Sequence, residues 1–330
     1  MKFGVQVNCY GTTWDDIRAS IETMEAGRWD SLWFADHFLP PWGGPKGDRK
    51  TEHRTAFEGY TLIAVAAGMT EKLRLGHLVL GNTYRNPALL AKMATTLDQA
   101  SKGRFTLSLG AGWCEREHDA FGWDFPSLKE RSDRFQEACE LIRQLFNADG
   151  PVDYNGRYYR LNQAPLSPGC YQKPHIPIMV GGTGEHRTLR TLAMHGDIMN
   201  VDGWSGRGMS FEHYQHKVSV LERHCEKVGR DPAEIKHTLL MPLKVTDDKA
   251  EAERFIVGLG RRTMERWGNY EGPLMEPRLS GSMAGPLNHV IDRIGQFVDA
   301  GVDEIMFGAI PTGDVEALQR VEEEIVAAFD

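Results

Sequence analysis

The chain has 330 residues, of which 41% are hydrophobic and 25% are charged, the composition of a globular protein with a sizeable core. Its net charge of −8 offers nucleic acid no general electrostatic attraction. No stretch approaches the roughly 20 apolar residues that span a bilayer. The N-terminus lacks the apolar run of a signal peptide, so we expect none.

The cysteines are odd in number, widely spaced and without a CxxC pair. This pattern predicts reduced thiols in the cytoplasm and argues against a disulfide framework or a zinc site. We expect no bound metal. The residues are Cys9, Cys114, Cys139, Cys170 and Cys225.

Eight short runs of β-forming residues recur along the chain, with helical patterns between them. The predicted strands are 2–8, 31–36, 73–81, 104–112, 176–182, 197–203, 237–246 and 303–310. The predicted helices are 14–27, 55–69, 88–101, 128–146, 185–194, 211–229, 287–301 and 314–329. The Asn155-Gly156 pair predicts a β-hairpin over 152–161, which interrupts the alternation.

This alternation over this length favours a (β/α)8 TIM barrel with insertion segments over an open, doubly wound sheet of eight strands, although the pattern alone allows both. No linker or internal repeat divides the sequence. We therefore expect one domain over 1–330, with a hairpin insertion near 151–175 and a variable segment at 247–285.

A glycine cluster follows the fifth predicted strand, at Gly181, Gly182, Thr183 and Gly184. In a barrel, ligands bind at the carboxyl ends of the strands, where a glycine-rich turn and a helix N-terminus can hold a phosphate. The spacing is not that of a P-loop. The alternative interpretation is a tight turn that only glycine can adopt.

Two other strand exits carry acid–base chemistry. Asp36 and His37 follow strand two, where the histidine could donate a proton to a substrate or could instead bond to the backbone. Glu117 follows strand four in GAGWCEREHDAFG and is a second candidate acid. Trp113, Phe121 and Trp123 could wall an apolar cavity there or pack as core.

These motifs together resemble the luciferase-like monooxygenase superfamily of flavin and deazaflavin enzymes. The likeness rests on LWFADHF (32–38), the segment 75–146, YNGRYYRL (154–161) and PIMVGGTGEHRTLRTLAMHGDIMNV (177–201). It covers nearly the whole chain in order and is weakest over 203–285. Within the superfamily, GAGWCEREHDAFG is similar to members assigned to coenzyme F420.

The resemblance implies a barrel, often a homodimer, with an isoalloxazine-type ring across its mouth. It implies a non-proline cis peptide at Leu78–Val79 supporting that ring. Asp36 and His37 match the family's ring contacts, and Gly181 to Gly184 its phosphate turn. Asn200 and Val201 would lie beside the same phosphate.

The function that follows is hydride transfer between reduced coenzyme F420 and an unidentified small organic substrate, with His37 donating or orienting a proton. FMN is the alternative cofactor and would imply monooxygenation. Lys46, Arg49 and Lys50 could meet the acidic tail of F420, or could belong to a solvated loop. Alternatives of another class are a sugar-phosphate lyase or isomerase and a flavin-binding barrel without turnover.

Overall fold

A computed structural model of the chain describes residues 1–40, 55–203, 210–267 and 282–329, with side chains omitted for 259–267. Twelve strands lie in this part of the chain: β1 (Lys2–Gln6), β2 (Ser31–Phe34), β3 (Arg74–His77), β4 (Leu80–Gly81), β5 (Leu107–Gly110), β6 (Val152–Asn155), β7 (Arg160–Ala164), β8 (Ile178–Gly181), β9 (Ile198–Asp202), β10 (Lys236–Val245), β11 (Met283–Gly285) and β12 (Glu304–Gly308).

Nine of these strands form a parallel barrel in the order β3-β2-β1-β12-β10-β9-β8-β5-β4. β3 and β4 are two pieces of the third predicted strand. The piece β4 pairs with β5 through Leu80 and Leu109, and Leu75 of β3 bridges to Phe105 just before β5. The third and fourth strand positions therefore meet and close the barrel, which confirms the predicted (β/α)8 fold.

The helices of the described residues pack around the barrel: α1 (Trp14–Ala26), α2 (Gly59–Met69), α3 (Pro87–Ala100), α4 (Glu115–Phe121), α5 (Leu128–Asn147), α6 (Thr188–His195), α7 (Phe211–Val228), α8 (Lys249–Trp267), α9 (Leu287–Asp299) and α10 (Val315–Glu324). Their starts follow local chemistry. Thr13 and Asp16 form a capping box at α1, and Asn86 caps α3 ahead of Pro87.

Three features depart from the predicted elements. The helix predicted from residue 55 begins at Gly59, because Glu58 accepts the N–H groups of Tyr60 and Thr61 and so caps it there. Helix α4 and helix α8 were not predicted, and neither was β11, which pairs with the end of β10. Residues 268–281 of the variable segment lie outside the described residues.

Side chains alternate along each strand between the barrel interior and the surrounding helices. One layer of the interior is apolar and consists of Trp33, Leu78, Met179, Ile198, Leu240 and Met306, with Val79 packed on it. The larger outer cluster lies between sheet and helices. A filled interior means that a ligand can enter only at the ends of the strands.

The predicted hairpin is present as the antiparallel pair β6 and β7. The carboxylate of Glu137, on α5, accepts the backbone N–H groups of Tyr158 and Tyr159 and so fixes the hairpin to the barrel wall. The Tyr159 hydroxyl in turn accepts a hydrogen bond from Asn82 Nδ2 at 3.3 Å, just after β4. The insertion therefore contacts the barrel near the exit of the third strand.

Candidate functional site

The exit of the third strand contains a cis peptide between Leu78 and Val79, as the sequence predicted. It lies between β3 and β4, and protein groups hold it on both sides. Leu78 N–H donates to the carbonyl of Phe34 at 2.9 Å, and Gln6 Nε2 donates to the carbonyl of Leu78 at 3.3 Å. This bulge between β3 and β4 is thus tied to β2 and, through Gln6, to β1 at the carboxyl end of the barrel.

The side chain of Val79 lies against the start of the glycine turn. A Cβ atom at Gly181 would lie 2.6 Å from Val79 Cγ1, closer than real side chains approach one another. Residue 181 must therefore be glycine while Val79 occupies this position. The contact also places the bulge and the turn side by side at the carboxyl ends of β3 and β8.

Asp36 is buried at 2% exposure and lies directly behind the bulge. Its oxygens accept two hydrogen bonds from Arg85, at 2.8 and 2.9 Å, and one from Gly81 N–H at 2.9 Å. Arg85 also pairs with Glu58 at 2.6 Å. Asp36 is therefore saturated by protein donors and fixes the residues after the bulge, while its predicted contact with the ring stays a prediction.

His37 lies at the same end of the barrel, with its side chain 13% exposed. Its Nδ1 is 2.9 Å from Glu117 Oε2, and its ring meets Trp113 edge to face at 5.1 Å between centroids. Nε2 has no protein hydrogen-bond partner within the described part of the chain. The geometry therefore fixes one imidazole nitrogen and leaves the other available to a ligand.

Glu117 is fully buried and accepts four hydrogen bonds. Besides His37 these come from the Phe38 N–H at 2.7 Å, the Leu39 N–H at 3.0 Å and the Tyr84 hydroxyl. Burial would raise its pKa, but the bonds from His37, Tyr84 and the backbone outweigh burial and lower the pKa to about 2. Glu117 is therefore a carboxylate at neutral pH, with no proton to give.

Tyr84 and Arg85 belong to the site although the sequence did not identify them. Both lie in NTYRNP, the loop after strand three, which is a strand exit of the kind that the barrel fold marks for inspection. Their partners Glu117 and Asp36 are 33 and 49 residues away. Position after a strand was the available signal, since no local motif links residues so far apart.

His37, Cys114 and Glu117 place one potential metal-binding atom each within 4.8 Å of one another. Burial raises the pKa of the Cys114 thiol to about 12, which disfavours the thiolate that a metal would need. The oxygens of Glu117 already accept protein hydrogen bonds. These two groups make a poor ligand set, and we assign no metal to it.

The aromatic residues predicted as a cavity wall cluster beside His37 and Glu117. Phe121 stacks on Trp123 at 5.1 Å, and Trp123 meets Phe38 edge to face at 4.9 Å. Phe121 is 48% exposed. The cluster is therefore partly core and partly an apolar surface next to His37.

The glycine turn leads from β8 to α6. Gly182 has φ +112°, a conformation that favours glycine. The helix begins at Thr188 and not at 185 as predicted, because residues 185–187 continue the turn. None of the N–H groups of residues 183–187 donates a hydrogen bond to another described residue. Unpaired consecutive N–H groups are what an anion-binding turn presents.

Asn200 lies beside this turn and Val201 does not face it. The carbonyl of Asn200 accepts the N–H of Gly182 at 3.4 Å, while its Nδ2 donates to Thr238 Oγ1 at 3.0 Å. Val201 is fully buried between the sheet and the helices. Alternation along β9 therefore restricts Val201 to a backbone contribution. The cations Lys46, Arg49 and Lys50 lie outside the described residues.

Fold and site together define a class: a parallel barrel whose mouth combines a glycine turn, an adjoining cis bulge and a histidine–carboxylate pair. The family model described as luciferase-like monooxygenase matches residues 2–304. The chain belongs to this family, as its sequence motifs predicted.

Known relatives include both dehydrogenases and monooxygenases. The chain is 29% identical over 314 residues to F420-dependent glucose-6-phosphate dehydrogenase of Kineococcus radiotolerans, covering 88% of this chain and 85% of that protein. It is 24% identical to 4-hydroxyprotoasukamycin monooxygenase of Streptomyces nodosus subsp. asukaensis, covering 93% and 83%. An F420-dependent secondary alcohol dehydrogenase in complex with an F420-acetone adduct has the same fold, with a TM-score of 0.77, 23% identity and coverage of 100% and 99%.

Among the described residues, no helix combines the length and the apolar character needed to cross a membrane.

Proposed function

We propose that this protein is an oxidoreductase that uses coenzyme F420 to transfer a hydride to or from a small organic substrate. The observation that carries the proposal is the contact between Val79 and Gly181, which joins the bulge to the glycine turn. The named activities of the relatives support it, since the Kineococcus protein is an F420-dependent dehydrogenase.

The residues present fit a cofactor with a planar ring and a phosphate. The bulge at Leu78–Val79 would support the ring, and the unpaired N–H groups after Gly182 would hold the phosphate, beside the carbonyl of Asn200. The missing Cβ at Gly181 lets Val79 of the bulge pack against the turn. Asp36 would act from behind by fixing Gly81, which follows the bulge.

When bound, a deazaflavin supplies the hydride donor or acceptor. His37 would hold or move the substrate proton at Nε2. Glu117 keeps the ring of His37 in place through Nδ1. Trp113 covers one edge of that imidazole and limits its contact with water. In this assignment Glu117 is a positioning residue and not the second acid.

FMN-dependent monooxygenation is the second candidate, and the monooxygenase from Streptomyces nodosus favours it. The bulge and the turn would accept FMN equally well, since it also combines a ring with a phosphate. The classes without redox chemistry are less well supported. A lyase or isomerase would need a lysine or a pair of acids at a strand exit, whereas the carboxylates of Asp36 and Glu117 are both saturated by protein donors.

The test is a titration of the purified protein with F420 and with FMN, followed by fluorescence and absorption. We expect the tighter binding for F420, falling modestly with salt and on replacing Lys46, Arg49 and Lys50 by Ala, because exposed pairs contribute about 0.2–1 kcal/mol each. The affinity for FMN should change less. Micromolar FMN binding without F420 binding would favour the monooxygenase.

Turnover then separates catalysis from binding. His37→Ala should slow the oxidation or reduction of bound cofactor more than it weakens binding, because a proton donor acts mainly in the transition state. Glu117→Gln should do the same to a smaller degree. Tight cofactor binding with no hydride exchange, tested against a panel of alcohols and ketones, would support a barrel without turnover.

We also propose a cytoplasmic homodimer. The five free cysteines are all buried, which suits a reducing compartment.

Helix α2 carries no charged residue, and its exposed positions are Thr61, Ala64, Val65 and Gly68. A helix that is apolar all round is normally buried, and the occupant that we propose for this face is α2 of a second copy.

A further inference from the structure

Glu185 is the first residue after the glycine turn, and three basic side chains of helix α7 converge on it. Lys217 Nζ lies 2.5 Å and His216 Nε2 lies 3.0 Å from its Oε1. His224 Nε2 lies 2.7 Å from its backbone carbonyl. Helix α7 thus holds both the carboxylate and the backbone of the residue that follows Gly184.

The charges of this cluster are fixed by the same contacts. The hydrogen bond from Lys217, supported by His216, lowers the pKa of Glu185 to about 2, so its carboxylate is ionised. Lys217 is only 4% exposed, and Glu185 is the partner of its ammonium group. A buried ammonium without a partner is costly, so the burial of Lys217 depends on its contact with Glu185.

A carboxylate at this position works against a phosphate site. Glu185 directly follows Gly184, and its own N–H is one of the unpaired groups of the turn. A free negative charge there would repel a phosphate and could occupy the N–H groups itself. The contacts with α7 draw the carboxylate towards that helix and neutralise it.

We infer that Lys217 and Glu185 are a positioning pair for the phosphate turn: Lys217 holds the Glu185 carboxylate on helix α7, which leaves the N–H groups of residues 183–187 to the cofactor phosphate. The inference rests on the proposed function for the identity of the ligand. It assigns to Lys217 an effect on phosphate affinity without contact between Lys217 and the phosphate.

The experiment compares the Kd of F420 with that of its phosphate-free deazaflavin ribityl fragment for Lys217→Met, Glu185→Gln and the double variant. Lys217→Met should weaken F420 binding at least about tenfold, because it releases the carboxylate. The fragment should bind unchanged. The double variant should return to within about threefold of the wild-type Kd, since no charge remains to repel the phosphate.

Lys72→Met is the matched control. Lys72 is exposed, it lies just before β3 at the opposite end of the barrel, and its ammonium donates to the backbone carbonyl of Gly27. Thermal melts of each variant check that the fold is intact. A merely structural role of Lys217 would weaken binding of F420 and the fragment alike, and the double variant would not recover.

Three results would overturn the inference: unchanged F420 affinity in Lys217→Met, no recovery in the double variant, or tighter F420 binding in Glu185→Gln while the double variant stays weak. The last would make Lys217 a phosphate ligand. A wild-type protein that binds neither cofactor contradicts the proposed function instead. If FMN binds in place of F420, FMN and riboflavin form the equivalent pair and test the same inference.

Discussion

His77 shows how a single buried residue can set the acid sensitivity of the fold. It is fully buried beside the bulge, stacked on Tyr60 at 5.3 Å, and neither ring nitrogen has a hydrogen-bond partner among the described residues. Burial lowers its pKa to about 4 from 6.5, so it is neutral in the folded state. Only the unfolded state then gains a proton below about pH 6.5.

We therefore expect stability to fall as the pH drops from about 6.5 towards 4 and the His77 contribution to level off below that. Replacing His77 by Phe should remove this dependence. The unfolding free energy of the variant minus that of the wild type should therefore be larger by about 2 kcal/mol at pH 5 than at pH 7.5. Urea unfolding at the two pH values measures it. The exposed His186→Phe should show no such difference, and an equal effect of His77→Phe at both pH values would contradict the assignment.

The glycine turn between β8 and α6 depends on the backbone conformation of Gly182. Gly182 has φ +112°, but a Cβ there would find no heavy atom closer than 3.5 Å, so space does not exclude a side chain. Gly182→Val should instead force the backbone out of this conformation and misdirect the N–H groups after it. Cofactor affinity should fall more than tenfold, or by more than about 1.4 kcal/mol, in a fluorescence titration.

Gly229→Val is the matched control, because Gly229 also has a positive φ and lies at the end of α7, where a Cβ would meet no heavy atom within 4 Å. It should lose stability without losing affinity. If Gly182→Val binds the cofactor as the wild type does, the glycines serve the turn alone and the phosphate lies elsewhere.

At the scale of the molecule, the open question is what covers helix α2. Val65 is 41% exposed on its uncharged face, and Leu89 of the neighbouring α3 is 56% exposed. Val65→Glu should place a charge within the proposed interface and dissociate the dimer, measured by sedimentation velocity at micromolar concentration. Val228→Glu is the control, since Val228 has the same 41% exposure but lies on the charged helix α7. A monomeric wild type, or a dimer that survives Val65→Glu, would contradict this interface.

The sequence by itself determined the alternation of eight β-forming runs with helical ones, which parallel strands need and which favoured a barrel over an open sheet. The tertiary structure decided between the two, because the third and fourth strand positions pair and close the barrel. The sequence also placed the cis peptide at Leu78–Val79 and the hairpin at Asn155-Gly156, both of which are confirmed. The hairpin depends on a local pattern of a few residues, whereas the cis peptide was implied by the resemblance to the family. The roles of the candidate site residues stay predictions.

Tertiary structure alone decided which partners each site residue has. The sequence placed Asp36 and Glu117 at strand exits as a ring contact and an acid, but folding saturates Asp36 with Arg85 and Glu117 with donors that include Tyr84. Nor could the sequence show that Val79 packs on Gly181 or that Lys217 reaches Glu185 from another helix. Closure of the barrel brings these distant residues together, and the burial that results, not the residue type, fixes their protonation and their possible roles.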